Sequence, residues 1–203
     1  MSVININQAV EKLLAGEIIG VPTESVYGLS VDARNKEAVE NLIKLKGRDS
    51  QKGFIIIVSE INILENLGWI KILSPEDKNK LKKTWPGPVT YLLPSLLPGA
   101  PLPRVGEGVG ERAESGEKKN SLTGQHETLA VRISAHPVLL KLSQKLKIPI
   151  VSTSANPQGL APAKNLDSFF NYFGKDFPVL SGELGGLEKP TPIFDLSSGR
   201  QLR

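Results

Sequence analysis

The chain has 203 residues, 39% hydrophobic and 23% charged, enough apolar material for one sizeable core and too much for a mostly disordered protein. With no cysteine and only two histidines, His126 and His136, it excludes disulfides, thiolate catalysis, cysteine-ligated zinc and a histidine metal cluster. A formal net charge of +4 and a pI near 9.2 favour a polyanionic partner such as a nucleotide or RNA, although ordinary soluble proteins share such values.

Residues 1–5 place no basic stretch ahead of an apolar one, and no apolar run approaches ~18 residues, the span of a membrane helix. The expectation is a single domain over residues 1–203, soluble, cytoplasmic and without membrane contact. Residues 18–21 read as a short buried strand broken by Pro22, and residues 54–58, rich in β-branched side chains, read likewise. Between them Asn35 can cap a helix in which Ala38, Val39, Leu42, Ile43 and Leu45 fall at helical spacing until Gly47 stops it. Ser74, Pro75, Glu76 and Asp77 form a second helix start, with a capping hydroxyl, proline at the first position and carboxylates near the positive end of the dipole; this helix is predicted to run to about Trp85. Further strands are predicted at 89–93, 129–133, 148–152, 178–180 and 193–196, and helices at 138–146 and 166–173. Strands interleaved with helices indicate an α/β domain with a mixed sheet and helices packed against it.

One stretch departs from this rhythm. From about 95 to 127 the chain carries Gly106, Gly108, Gly110 and Gly116 among Glu and Lys, with almost no apolar residue after Val109. It reads as a mobile excursion, with a substrate lid as the functional alternative. Its glycines do not follow G-x-G-x-x-G, and no Walker lysine loop, H-E-x-x-H or G-x-S-x-G occurs in the chain.

Four places could carry chemistry. Lys46 and Arg48 lie at a helix end, where cations oppose the dipole; they are either a favourable terminus or a phosphate clamp, the arginine supplying a planar fork and the lysine a point charge. Lys52 is a third cation at that mouth or a solvated residue ahead of a strand. Ser152, Thr153, Ser154 and Asn156 follow a strand, so they are predicted in the crevice at its carboxyl end, as ligand contacts or as a locally bonded turn. Thr23 and Ser25 follow another strand and face the same crevice. Arg132, inside the apolar run Leu129 to Ile133, must point to solvent, pair, or bind a ligand carboxylate.

Six blocks, V-P-T-E-S-V-Y-G-L, L-K-G-R, K-G-F-I-I-I-V, W-P-G-P-V-T, L-A-V-R-I-S-A-H-P and I-V-S-T-S-A-N, occur in this order. Together, over about residues 8–203, they resemble the YrdC-like family, the L-threonylcarbamoyladenylate synthases. The resemblance implies a twisted mixed α/β sheet with flanking helices and a large basic concave surface, of the short bacterial type without an appended domain. The implied activity joins L-threonine, bicarbonate or CO2, and ATP into threonylcarbamoyl-AMP with release of pyrophosphate, for N6-threonylcarbamoyladenosine in tRNA. It assigns Lys46 and Arg48 to catalysis and, with Thr128, Ser154 and Asn156, to the nucleotide; Thr23, Arg132 and Ser152 fall to threonine. Thr191 stands where a family serine contacts threonine, and Arg203, or else Arg200, where a nucleotide-binding arginine does. Two departures are visible: Asp49 replaces the proline common after K-x-R, and Pro157 to Ala163 lacks the usual hydroxyl.

The reaction needs several anions in one small space, so catalysis is positioning and charge neutralisation. Mg2+ is expected to arrive with ATP, since the chain offers no dedicated carboxylate cage. Expected partners are the tRNA threonylcarbamoyl transferase machinery and, weakly, RNA. The alternatives are a carbamoyl-adenylate-forming relative and a double-stranded RNA-binding module that reads phosphate and shape.

Overall fold

The structure, a computed structural model, describes residues 2–49, 51–97 and 120–203. The chain opens with β1 (Val3–Ile4) and α1 (Ile6–Leu14), followed by β2 (Ile19–Pro22), β3 (Tyr27–Ser30), α2 (Lys36–Lys46) and β4 (Ile55–Ile57). Then come α3 (Asn62–Asn66), α4 (Pro75–Lys82), β5 (Thr90–Pro94), β6 (Thr128–Arg132), α5 (Pro137–Leu146), β7 (Ile150–Ser154), α6 (Leu166–Phe173), β8 (Val179–Leu180) and β9 (Ile193–Asp195). Among the described residues the strands form one nine-stranded mixed sheet in the order β1-β8-β2-β3-β7-β4-β6-β5-β9. Its centre alternates: β7 is antiparallel to both β3 and β4, while β4 is parallel to β6.

Local chemistry explains the helix limits. The Asn5 side chain accepts from the Asn7 and Gln8 amides while the Gln8 side chain takes the Asn5 amide, a capping box that starts α1. Asn35 caps α2 through the Ala38 amide, and Gly47 closes it in the left-handed region at φ 59°, where a side chain would be strained. The helix capped by Ser74 stops at Lys82, short of Trp85, because the amides of Lys83 and Thr84 turn to carbonyls three residues back. Sequence patterning passes over β1, α1, β3 and α3; the last has only five residues and no side-chain cap.

Two apolar layers hold the sheet. On one face α1 and α5 bring Ala9, Leu13, Leu139, Leu142 and Leu146 against Ile19, Val21, Ile57 and Ile150. On the other, α2, α3, α4 and α6 bring Ala38, Leu42, Leu64, Leu81 and Phe169 against Leu29, Ile56, Val131 and Val151. A fully buried aromatic such as Phe169 contributes ~1.5–3 kcal/mol by area alone. Parts of the predicted excursion belong to this packing. Ser95, Leu97, Leu122 and Thr123 are buried, and the Phe54 amide donates to the Leu122 carbonyl at 2.8 Å. Residues 98–119, with the glycine cluster, lie outside the described residues. No described helix is long and apolar enough to cross a membrane.

Candidate functional site

The side chains that alternate along three central strands explain where a site forms. On β7, Ile150, Ser152 and Ser154 share a face; on β6, Thr128, Ala130 and Arg132 do. In register, Ser152 pairs with Ile55, Ile55 with Ala130, and Ala130 with Leu92, giving one row across the sheet. This is the face that α1 and α5 cover over Ile57 and Ile150. Beyond those helices the same face changes from apolar to polar and opens into a cavity of ≈ 700 Å³. The predicted crevice at a strand's carboxyl end is therefore corrected: the serines belong to β7 itself, and the cavity lies over the face of the sheet.

Arg48, Lys52, Arg132, Lys164 and Arg203 line it, against the carboxylates Glu24 and Glu188, so the wall is net cationic. The expected basic concavity has this form. At one end, Gly47 turns the chain so that Arg48 reaches back over the Phe54 ring, 4.9 Å from its centroid, and donates to the Gly53 carbonyl at 2.7 Å. Burial lowers its pKa, with Asp49 opposing. Lys52 stands exposed beside it.

Lys46 does not share that wall. Its ammonium, at the buried end of α2, donates to the carbonyls of Ser154 and Asn156, the latter at 2.8 Å, with the Asn156 Oδ1 at 3.4 Å. Burial first, and Arg48 second, lower its pKa to about 8. The Ser154 hydroxyl donates to Asn156 Oδ1 at 2.6 Å, and the Asn156 amide is spent on the carbonyls of Pro157 and Leu160. Lys46 and Asn156 thus brace the loop after β7, while Ser152, Thr153 and Ser154 line the cavity. The expectation that Lys46 joins Arg48 in a phosphate clamp is corrected accordingly: it is the last residue of α2, and its ammonium is held by the carbonyls of Ser154 and Asn156, off the cavity wall.

At the other end Arg132 is 4% exposed and paired. Its Nη2 lies 3.2 Å from Glu24 Oε2, and its Nη1 donates to Thr191 Oγ1 at 2.6 Å. Arg203 donates through Nε and Nη2 to the Thr191 carbonyl, and its charge, after burial, helps lower the Arg132 pKa against the pull of Glu24. Of the two C-terminal arginines, Arg203 lines the cavity and Arg200 does not. Thr23 lines it too, though its hydroxyl donates to the Val26 carbonyl at 2.7 Å within the turn joining β2 to β3; Thr128 contributes from the start of β6.

Glu24 and, apart from Thr191, the segment 181–192 escape sequence reasoning. Glu24 receives no role from the sequence, yet it is buried, accepting from the Ser134 hydroxyl at 2.7 Å. Residues 181–192 cross over it, the amides of Gly185 and Leu187 donating to the carbonyls of Thr23 and Glu24. Gly185 has no room for a side chain, since a Cβ there would sit 2.9 Å from Glu24 Cα. No local pattern announces a contact between segments so far apart. Among the described residues no group of three His, Asp or Glu side chains could hold a metal. Among the described residues the one buried carboxylate on the wall, Glu24, stands beside the Arg132 guanidinium, whose charge opposes a second cation there.

Fold and site together define an α/β protein with a net cationic cavity on the open half of a mixed sheet. The Sua5/YciO/YrdC family model, described as telomere recombination, matches residues 11–203, and the chain belongs to that family. Threonylcarbamoyl-AMP synthase of Photobacterium profundum is 38% identical over 200 residues, 98% of each chain. Among solved structures, a doubly substituted P. abyssi Sua5 superposes with a TM-score of 0.78 at 27% identity, covering 98% of this chain and 55% of that one. P. abyssi Sua5 complexed with L-threonine gives 0.76 at 26% identity, covering 97% and 52%. The present chain spans about half the length of those two.

Proposed function

We propose that this chain is a threonylcarbamoyl-AMP synthase, joining L-threonine, bicarbonate or CO2, and ATP with release of pyrophosphate, and so supplying the N6-threonylcarbamoyl group for tRNA. The observation that carries the reading is the division of one cavity between two cationic ends. Arg48 is anchored at Gly53, just ahead of β4, and Arg132 pairs with Ile57 at the far end of that strand, four residues further along the chain. At ~3.3 Å per residue the anchor points are roughly 13 Å apart, which suits a triphosphate at one end and an amino acid at the other. The names of the full-length relatives and the threonine bound by P. abyssi Sua5 support the same reading.

The chemistry asked of the protein follows from that division. The threonine amino group, once neutral, attacks CO2 and gives up a proton to solvent; the carbamate oxygen attacks the α-phosphorus of ATP, and the bond to the departing pyrophosphate breaks. Arg48 and Lys52 neutralise charge on the phosphates, with Lys46 and Asn156 fixing the loop that follows Ser154. Arg132, with Arg203 behind Thr191, receives the threonine carboxylate, while Thr23, Thr128 and Ser152 offer hydroxyls between the ends. Magnesium is part of the MgATP substrate in this reading, and the described residues do not fit a metal held by the protein alone. The threonylcarbamoyl-AMP then passes to a transferase acting on tRNA.

With MgATP, bicarbonate and L-threonine the protein is expected to release pyrophosphate, and omission of threonine to abolish most of it. Equal release without threonine would overturn the assignment.

A further inference from the structure

The Glu24–Arg132 pair is buried but not closed. Glu24 Oε1 is filled by the Ser134 hydroxyl, yet Oε2, within ion-pair distance of Arg132, has no hydrogen-bond partner. Arg132 spends Nη1 on Thr191, while its Nε is likewise without a partner. One acceptor on the anion and one donor on the cation are thus left over at the same buried end of the cavity, where an unmet polar group is costly. Both residues line that cavity.

The surroundings fix this arrangement. Glu24 is held from behind by the amides of Gly185 and Leu187, which close on the carbonyls of Thr23 and Glu24, and by Ser134, whose hydroxyl also receives the His136 amide at 3.0 Å. Counting Arg132 and Arg203 against Glu24 and Glu188, the wall residue that follows Leu187, this end carries two positive and two negative charges. A simple carboxylate would satisfy the cations and crowd Glu24 with a second anion. A zwitterion offers an acceptor to Arg132 and a donor to Glu24 at once.

We propose that Glu24 reads the α-ammonium group of the amino acid, so that Glu24 and Arg132 together form a zwitterion receptor. This rests on the reading of the cavity as an amino-acid site and adds to it the reason why an amine is required for entry. Arg132 alone would accept any small carboxylate; Glu24 makes the selection.

The test compares L-threonine with (R)-3-hydroxybutanoate, the same acid without its amine, by calorimetry on the full chain and on Glu24→Gln and Glu24→Asp, with ATP binding as the check that each variant is folded. Wild type is expected to bind threonine and largely to ignore the hydroxy acid. In Glu24→Gln the loss of a charge-assisted contact should weaken threonine by about 10- to 150-fold, leave the hydroxy acid unchanged or tighter, and leave ATP binding intact. Glu24→Asp keeps the charge and should recover part of the threonine affinity. Equal weakening of both acids would reduce Glu24 to a support for Arg132, and unchanged threonine binding in Glu24→Gln would remove it from recognition; either overturns the proposal. Threonine binding nowhere, in wild type or variants, would overturn the amino-acid reading of the cavity itself.

Discussion

At the residue scale the two cations that bracket Gly47 have different duties. Lys46 sits near 8 against an ordinary 10.5, so its burial is a pH-dependent cost. Below pH 8 the ammonium is charged in folded and unfolded chain alike, and the cost is present in full. Between about 8 and 10.5 the unfolded chain keeps the proton that the folded one has released, so stability rises with pH across that window. Urea denaturation should show wild type gaining up to ~3 kcal/mol over Lys46→Met between pH 7.5 and 10. A flat difference would mean that the three oxygen acceptors hold the proton on. Arg48 faces the cavity, and Arg48→Ala should weaken ATP by about 10- to 150-fold. Because Arg48 also covers Phe54 and bonds the Gly53 carbonyl, the same change should lower stability by ~1 kcal/mol. Arg48→Lys keeps the charge but loses the fork and the stacking, so its ATP affinity should fall between the two.

At the element scale the segment from 181 to 192 acts as a strap, tying β8 to β9 across the turn that carries Thr23 and Glu24. Gly185→Ala puts a methyl 2.9 Å from backbone, so the strap must lift. We expect a loss of ~1–3 kcal/mol in thermal or urea unfolding and weaker threonine binding with ATP affinity retained; normal threonine binding would show that the strap only covers the site. This element also marks what sequence could and could not disclose. The helix from Asn35 to Gly47 is legible because a cap, an apolar period and a left-handed glycine agree. Arg132 stands out because a charge in an apolar strand needs an explanation, and pairing with Glu24 is one of the three outcomes open to it. Apart from Thr191, the strap reads as a loop rich in glycine, glutamate and proline, since its role depends on what it crosses. Helix α1 is a miss of another kind: its Asn5 and Gln8 signature and the apolar spacing of Ile6, Ala9, Val10 and Leu13 are present in the sequence, yet the reading passes over them. Tyr27 to Ser30 hides as a strand because only four residues separate it from β2, so the hairpin reads as one irregular motif.

At the scale of the whole molecule, both ends of the cavity are built on the same central strands, so a ligand at either end binds the folded sheet and has no site in the unfolded chain. Arg48 is anchored ahead of β4, Arg132 lies on β6, and Ser152 and Ser154 lie on β7, all paired through β4. Mass action then converts occupancy into stability: ATP at 100 times its dissociation constant should add ~2.7 kcal/mol to the free energy of unfolding. The same ATP concentration should add under ~1.5 kcal/mol to Arg48→Ala if its affinity is at least ~10-fold weaker. It should stabilise Glu24→Gln as much as wild type, because that change lies at the amino-acid end. Threonine should show the reverse pattern, stabilising Arg48→Ala and failing with Glu24→Gln. Urea unfolding of the three proteins with each ligand therefore assigns the ends of the cavity independently of turnover. If Arg48→Ala and Glu24→Gln each lost the response to both ligands alike, the cavity would be one undivided site, and the separation of triphosphate from amino acid along β4 would be wrong.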